Sequence, residues 1–139
     1  MKSRLNLTLR EVEALLKEHG VQASAQRIAV CHYVLTTNTH PTVDDVKAWA
    51  DENFPKMSLA TVYNTLNLLA GVGVIKALKF PHSDKAHFDG DLSNHFHFLD
   101  EDTGKIYDIP GESLKYQLDL PEGFELSEME FLAKGKFQG

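Results

Sequence analysis

Residues 58–71, SLATVYNTLNLLAG, decide the fold that this sequence predicts. Ser58 is a typical helix N-cap, and at about 100° per residue the helix that follows has two unlike sides. One side is aliphatic and predicts a core-facing surface: Leu59, Val62, Leu66, Leu69. The other side carries no charge and is small, aromatic or amide-bearing: Ala60, Tyr63, Asn64, Asn67. This second surface suits DNA base edges, because Asn can bond adenine and Ala or the Tyr ring can touch a thymine methyl.

The segments on either side of this helix extend the pattern. Three earlier helices are predicted from capping signals, which are Thr8 with Glu11, Ser24, and Thr42 with Asp45. After the helix, VIKALKF (74–80) and AHFD (86–89) predict two short strands around a polar turn. Helices followed by such a wing make a winged helix-turn-helix, whose last helix enters the major groove. Helical periodicity alone favours the alternative of four amphipathic helices that only build a core, and the wing and the basic first half bring the two interpretations about level.

Charge is distributed unevenly along the chain. Taken whole, the net charge of -6 argues against nucleic acid, since phosphates require Lys and Arg. Residues 1–86 hold ten Lys plus Arg against eight Asp plus Glu, a balance of +2. Residues 87–139 hold four Lys plus Arg against twelve Asp plus Glu, a balance of -8. We therefore expect two functional units, with any polyanion contact in the first.

Composition excludes several classes of protein. A chain of 139 residues with 42% hydrophobic and 24% charged residues predicts a soluble globular protein. No stretch approaches the roughly 20 apolar residues of a membrane span, and the start lacks a signal-peptide pattern, so we expect a cytoplasmic location. The single cysteine, Cys31, excludes an intrachain disulfide or a thiolate zinc knuckle within the chain. Its place in a helical apolar pattern predicts a buried structural thiol.

The second half predicts an antiparallel sheet. HFHFLD (95–100) and KIYDIP (105–110) form a hairpin around EDTG, PGESLKYQLDL (110–120) predicts a short helix, and FELSEMEFLAKG (124–135) predicts a strand pair or one long strand. Because side chains alternate along a strand, Phe96 and Phe98 are expected in the core, and His95 and His97 share the other face.

These histidines suggest a metal site. A single histidine is more often a surface or hydrogen-bonded residue. His95 and His97 on one face, with Asp89 upstream and Asp108 on the partner strand, instead provide the imidazole and carboxylate ligands that suit Fe(II), Mn(II) or Zn(II). The other acidic residues nearby are predicted to be solvated turn residues: Asp91, Asp100, Glu101, Asp102.

Five segments together carry a family resemblance. THPTVDDV (39–46), MSLATVYNTLNLL (57–69), HFD (87–89), HFHF (95–98) and GKIYD (104–108) resemble the ferric uptake regulator superfamily in order and spacing. The resemblance implies a dimeric bacterial transcription factor of the α+β class, in which metal binding promotes operator binding. Its N-terminal winged helix-turn-helix domain binds DNA, and its C-terminal α/β domain, with an antiparallel sheet, forms the homodimer. We expect these domains at residues 1–86 and 93–139, with a hinge at 87–92.

The resemblance also implies one regulatory Fe(II) or Mn(II) site per subunit, where Zn(II) may substitute, with these ligands: His40, Asp89, His95, His97, Asp108. Because His40 belongs to the DNA-binding half, one ion would hold the two halves in a fixed relation. The aspartate at 108 resembles the peroxide-sensing PerR branch, whereas iron sensors more typically have glutamate. In that branch peroxide and ferrous iron oxidise a ligand imidazole, here His40 or His95, and the manganese form stays active.

The DNA contacts implied by helix and resemblance together are Arg27, as a phosphate contact, and six residues at the fourth helix: Ser58, Ala60, Thr61, Tyr63, Asn64, Asn67. Among the other histidines, His87 is predicted to be a wing-strand surface residue, with accessory ligation as the alternative. His19, His32 and His82 are predicted to be structural.

The chain departs from the family pattern in three places. Asp100 and Thr103 replace a cysteine pair of a structural zinc site and no second pair follows, so we predict no structural zinc. The dimer must then rely on sheet extension and apolar contacts from residues such as 124–132. Asn94 stands where iron sensors often place a histidine of a further metal site, and Gln22 where relatives often have an arginine.

Two alternatives to a peroxide sensor stay open. The first is an iron, zinc or manganese uptake regulator that responds to metal supply, against which Asp108 argues. The second is a small non-haem iron enzyme that uses His95, His97 and a carboxylate as a facial triad. Five protein ligands and a helix-turn-helix argue against the enzyme. No organic substrate or membrane partner is expected.

Overall fold

The computed structural model describes residues 4–81, 83–91, 95–127 and 129–139. The chain divides into two compact units, Met1–Leu92 and Ser93–Gly139. In the described ranges, no helix has both the length and the apolar character needed to cross a membrane.

The first unit contains four α-helices that begin at the predicted capping residues. They are α1 (Leu9–Glu18), α2 (Ala25–Thr37), α3 (Val43–Asn53) and α4 (Leu59–Gly71), and a short 3-10 helix, Arg4–Asn6, precedes them. Thr8 and Thr42 form complete capping boxes with Glu11 and Asp45. The side chains of Ser24 and Ser58 accept from backbone N–H groups three residues later. Each helix start is therefore fixed by a local hydrogen bond.

The aliphatic side of α4 faces the core, with one exception. Val62, Leu66 and Leu69 are fully buried, as predicted, but Leu59 is 50% exposed. Leu59 and Thr65 lie about 60° to either side of Val62 around the helix. The core covers the Thr65 side, so Thr65 is buried and the prediction of Leu59 as a core residue is wrong.

The wing follows α4. Strand β1 (Lys76–Leu78) pairs antiparallel with β2 (His87–Asp89), with Lys76 opposite Asp89. In the turn between them, Lys85 contacts the Asp44 carboxylate in the first turn of α3, and this hydrogen bond raises the pKa of Lys85. His87–Asp89 therefore form the second strand of the predicted wing and belong to the first unit.

The second unit contains a three-stranded sheet of order β4-β3-β5. Strands β3 (His95–Asp100) and β4 (Ile106–Pro110) form the predicted hairpin, and β5 (Leu132–Gly135) pairs in parallel with β3. The sheet is therefore mixed rather than wholly antiparallel. Parallel pairing is possible because β4 returns the chain to the end of the sheet where β3 begins, and residues 111–131 then connect β4 to β5. Together the two units confirm the predicted α+β class with an N-terminal winged helix-turn-helix.

Three details of the second unit differ from the sequence prediction. The helix predicted at 110–120 is only a 3-10 turn, Gly111–Ser113, because the leucines and tyrosine that follow alternate with a period of two rather than 3.6. Among the residues described within the final segment predicted at 124–135, only β5 forms a strand. Phe96 and Phe98 are half-buried rather than buried.

The β3–β4 turn is held by side-chain caps. Asp100, predicted to be solvated, is only 4% exposed, and its Oδ1 accepts from the Asp102 N–H at 2.9 Å. Thr103 Oγ1 accepts from the Lys105 N–H at 3.2 Å. The Glu101 N–H donates to the Gly135 carbonyl at 2.8 Å, which ties the turn to the end of β5. The two residues at the positions of the family's cysteine pair therefore each satisfy a backbone donor.

Arg4 braces the first unit, and its replacement tests that role. Its Nη1 donates to the carbonyls of Val74 at 2.6 Å and Gly90 at 3.1 Å. Hydrogen bonds from a charged donor contribute about 1.5–3 kcal/mol each. We expect Arg4→Gln to lower the free energy of unfolding by about 2 kcal/mol, measured in urea by the fluorescence of the single tryptophan, Trp49, in α3. The exposed Arg10→Gln is the control, and an equal effect of both changes would refute the brace.

Candidate functional site

The first pair of proposed ligands lies within the first unit. His40 occupies the loop between α2 and α3, and Asp89 ends β2. His40 is 5% exposed and Asp89 6%, and His40 Nε2 lies 3.7 Å from Asp89 Oδ2. The loop needs an unusual backbone, because Asn38 and His40 both have positive φ, 54° and 55°. The buried imidazole of His40 and the buried carboxylate of Asp89 thus face each other, although the two residues are 49 positions apart in sequence (89 minus 40).

The chain around Asp89 fixes its carboxylate. Asp89 Oδ1 accepts from the Asp91 N–H at 2.9 Å, which leaves Oδ2 on the side of His40. Gly90 follows, and a Cβ at this position would lie 2.7 Å from Leu35 Cα and 3.0 Å from the Val34 carbonyl oxygen. Only glycine lets the strand approach the backbone of α2 so closely.

The other three proposed ligands lie together in the second unit. His97 is directly opposite Asp108 in the β3–β4 ladder, and His95 is two residues away on the same face. Asp108 Oδ1 lies 3.4 Å from His97 Nε2 and 3.8 Å from His95 Nε2. The two imidazole rings are 4.8 Å apart at 86°. The prediction that His95 and His97 share one face is confirmed, and Asp108 on the partner strand lies beside them.

The hairpin group has the donors and spacing of a divalent metal site, and the His40–Asp89 pair offers two more donors at a similar separation. Ligand atoms about 2.1 Å from one ion lie roughly 3 to 3.4 Å apart, close to the 3.4–3.8 Å separations observed. Imidazole nitrogen with carboxylate oxygen suits iron, manganese or zinc. Cys31 takes no part: it is fully buried, and burial raises the pKa of its thiol to about 12, against a smaller lowering by Arg4. The prediction of a buried cysteine is confirmed.

The remaining described histidines make backbone contacts. His19 Nδ1 lies 2.9 Å from the Leu15 carbonyl, and His32 Nε2 lies 3.0 Å from the Leu7 carbonyl, which supports their predicted structural role. His87 is half-buried and its Nδ1 lies 2.7 Å from the His40 carbonyl, so it is not the surface residue that we predicted. His82 and Asn94 lie outside the described residues.

The predicted DNA-facing side of α4 is exposed. Tyr63 is 54% exposed, and the other members of this side are exposed as well: Ala60, Asn64, Asn67. Ser58 is also exposed but has a local role, because its Oγ accepts from the Thr61 N–H and lies 3.0 Å from the Thr61 hydroxyl. Arg27 is half-buried, and its Nη1 donates to the Gln22 carbonyl at 3.1 Å. An uncharged, amide-rich surface is thus available along α4.

Sequence reasoning missed Arg4, and it missed the roles of Gly90 and His87. Arg4 reaches carbonyls 70 and 86 positions away, and His87 one that is 47 positions away. Their only sequence signal is proximity to other motifs: Gly90 and His87 flank the HFD element, whereas nothing near Arg4 marks it.

A winged helix with an exposed, uncharged, amide-rich helix face, together with clustered imidazole and carboxylate groups, is typical of metal-binding transcription regulators. Residues 18–132 match the model of the Ferric uptake regulator family, and the chain belongs to this family. Members of the family are transcription regulators and not enzymes, so the alternative of a non-haem iron enzyme is wrong.

Named relatives lie in more than one branch of the family. The chain is 37% identical over 101 residues to the peroxide-responsive repressor PerR of Staphylococcus aureus, covering 73% of this chain and 68% of that protein. PerR of Streptococcus pyogenes is 26% identical, with a TM-score of 0.54 over 93% of this chain and 90% of that one. The manganese-bound ferric uptake regulator of Pseudomonas aeruginosa has a TM-score of 0.68 over 91% of this chain and 97% of that one. Because it is only 20% identical, this similarity shows the fold alone.

Gly90 provides a direct test of how the Asp89 segment is held. In Gly90→Ala the new Cβ would meet the α2 backbone, which cannot move aside as a flexible side chain could. We expect the free energy of unfolding to fall by about 1–3 kcal/mol, measured by urea titration. Gly71→Ala is the matched control, because nothing lies within 4 Å of its Cβ position. Equal effects of the two alanines would contradict the close approach.

Proposed function

We propose that this chain is a metal-dependent repressor that senses hydrogen peroxide and controls oxidative-stress and metal-homeostasis genes. Asp108 carries the proposal. It lies within 3.8 Å of both hairpin imidazoles, and an aspartate at this position resembles the peroxide-sensing branch. The 37% identity to a peroxide-responsive repressor supports the same branch.

The proposed regulatory ion has five ligands: His40, Asp89, His95, His97, Asp108. Three nitrogens and two carboxylates suit five-coordination, or six if one carboxylate chelates. The first two ligands belong to the DNA-binding unit and the other three to the second unit. One ion bound by all five would couple metal affinity to DNA affinity, reciprocally, by about 1–3 kcal/mol.

Peroxide sensing would consume one of these ligands. Bound ferrous iron would supply the reduction of hydrogen peroxide to an oxidant that attacks an adjacent imidazole. By resemblance the targets are His40 and His95, and the product is 2-oxo-histidine. The altered ring binds metal poorly, so His40 or His95 would release the ion and the protein would leave its operator. Manganese reacts poorly with peroxide and would keep the repressor active.

We propose Fe(II) or Mn(II) at one regulatory site per subunit, with Zn(II) able to substitute, and no structural zinc. The turn at Asp100–Lys105 supports the last point, because Asp100 and Thr103 close it with hydrogen bonds to backbone N–H groups. A zinc knuckle would need thiolates, and the one cysteine is buried elsewhere.

We propose that operator DNA and a second copy of the chain are the partners. The uncharged exposed side of α4 suits base edges, with Arg27 as a backbone contact. Large apolar side chains are exposed through the second unit and support a homodimer: Tyr116, Leu118, Leu120, Phe124, Leu126, Phe131, Phe137. A series of exposed apolar residues of this kind marks an interaction surface.

A metal-uptake regulator is the alternative. Imidazole and carboxylate ligands bind manganese or zinc without any reaction with peroxide, and solved structures of similar fold include a manganese uptake regulator. In this alternative, DNA affinity follows metal supply alone.

Operator binding with each metal, with and without peroxide, distinguishes these two functions. We expect Mn(II) and Fe(II) both to promote binding, and peroxide to abolish it only in the iron form, measured by fluorescence anisotropy. Mass spectrometry should then show one added oxygen on a peptide that contains His40 or His95. Peptides containing His19 or His32 serve as internal controls. Retained DNA binding with unmodified histidines would leave the metal-uptake function as the explanation.

The recognition surface is tested by two substitutions. Tyr63→Ala should relax sequence preference, because the side chain is exposed on the surface proposed to read bases. Arg27→Ala should weaken binding evenly across sequences and reduce the salt dependence by about one unit of slope. Anisotropy titrations on operator and scrambled DNA measure both effects. Arg10→Ala, on the exposed surface of α1, is the control; a uniform loss from Tyr63→Ala would show that it does not read bases.

A further inference from the structure

We propose that His87 is a positioning residue of the metal site: it holds the backbone of His40 and so aims the His40 imidazole. This inference rests on the proposed function, because it assumes that His40 binds the regulatory ion. It replaces both earlier interpretations of His87, as a surface residue of the wing and as an accessory ligand.

The conformation of His40 needs external support. Its φ of 55° lies in the left-handed region, which residues other than glycine rarely adopt. Such a conformation persists only where surrounding contacts hold it. Asn38, two residues earlier, is also left-handed, so the loop from α2 to α3 is unusual at two positions. The next residue, Pro41, is buried.

Strand β2 supplies these contacts. His87 Nδ1 lies 2.7 Å from the His40 carbonyl oxygen. A carbonyl can only accept, so Nδ1 carries the proton and donates. One residue later, the Phe88 N–H donates to the Pro41 carbonyl at 2.8 Å. Two successive residues of β2 therefore bind two successive carbonyls of the loop.

The His87 ring is itself held in place. Phe80 meets it edge to face, with ring centroids 5.5 Å apart at 78°. The adjacent Phe88 is 3% exposed and belongs to the core. The donor nitrogen is therefore presented by a strand that the fold fixes independently of any metal.

The geometry links this contact to the ligands. Asp89 is two residues after His87 on the same strand, and its Oδ2 lies 3.7 Å from His40 Nε2. The hydrogen bond from His87 thus sets the separation between the first two proposed ligands before an ion binds. Without it the loop can relax towards ordinary backbone angles, and binding must then also order the loop. Loss of such an outer contact typically costs 10- to 100-fold in metal affinity.

Two substitutions at position 87 test the donor. His87→Leu removes it, and His87→Asn keeps an N–H at nearly the place of Nδ1. In calorimetric titrations of the metal-free full chain with Mn(II), we expect His87→Leu to weaken binding about 10- to 100-fold and His87→Asn to restore most of the affinity. His19→Leu is the matched control, since it removes a similar contact between Nδ1 and a carbonyl, at Leu15. It should leave Mn(II) affinity unchanged.

The outcomes separate this inference from the proposed function. Unchanged affinity in His87→Leu, or equal losses in the Leu and Asn variants, would overturn the positioning role; equal losses are the result expected of an accessory ligand. His40→Ala tests the function itself: if it retains wild-type Mn(II) affinity, the proposed site is wrong. If His87→Leu does not fold, His87→Gln replaces it. Its amide lies one bond further out, so it should restore less affinity than Asn.

Discussion

The first unit depends on the hydrogen bonds that strand β2 makes on both sides. On one side its backbone pairs with β1 and closes the wing. On the other, His87 and Phe88 bind the carbonyls of His40 and Pro41 in the loop between α2 and α3. The strand ends in Asp89. The three residues of β2 therefore form one strand of the wing, hold the loop and include a proposed metal ligand. A proposed metal ligand and the winged-helix elements therefore share one piece of backbone.

That piece of backbone is also connected to the segment that follows α4. Arg4 donates to the carbonyl of Gly90, next to Asp89, and to that of Val74, between α4 and β1. Gly90 in turn packs against the backbone of α2. In the proposed function a movement of Asp89 would therefore act on α2 and α4 through direct contacts. Packed contacts and hydrogen bonds of this kind can carry coupling between sites.

Local features were predictable from the sequence and distant contacts were not. The helix starts at Thr8, Ser24, Thr42 and Ser58 follow from hydrogen bonds that span three residues. The shared face of His95, His97 and Asp108 follows from strand alternation and the hairpin turn. By contrast, the parallel pairing of β5, the brace by Arg4 and the contact from His87 to His40 depend on how distant segments pack. The exposure of Leu59 has the same origin, because periodicity defines a helix face but not how far the core extends around it.

Without a structural zinc, the second unit would lose a large contribution to its free energy of unfolding. A structural zinc contributes about 10–16 kcal/mol in small domains, whereas the caps at Asp100 and Thr103 are single hydrogen bonds of about 1 kcal/mol each. Among the residues described in this unit, Leu99 is the one hydrophobic side chain that is buried. A unit this small with so little core is usually stabilised by oligomerisation. In the proposed homodimer its exposed phenylalanines and leucines would be buried, so its folding and dimerisation would be one equilibrium that depends on protein concentration.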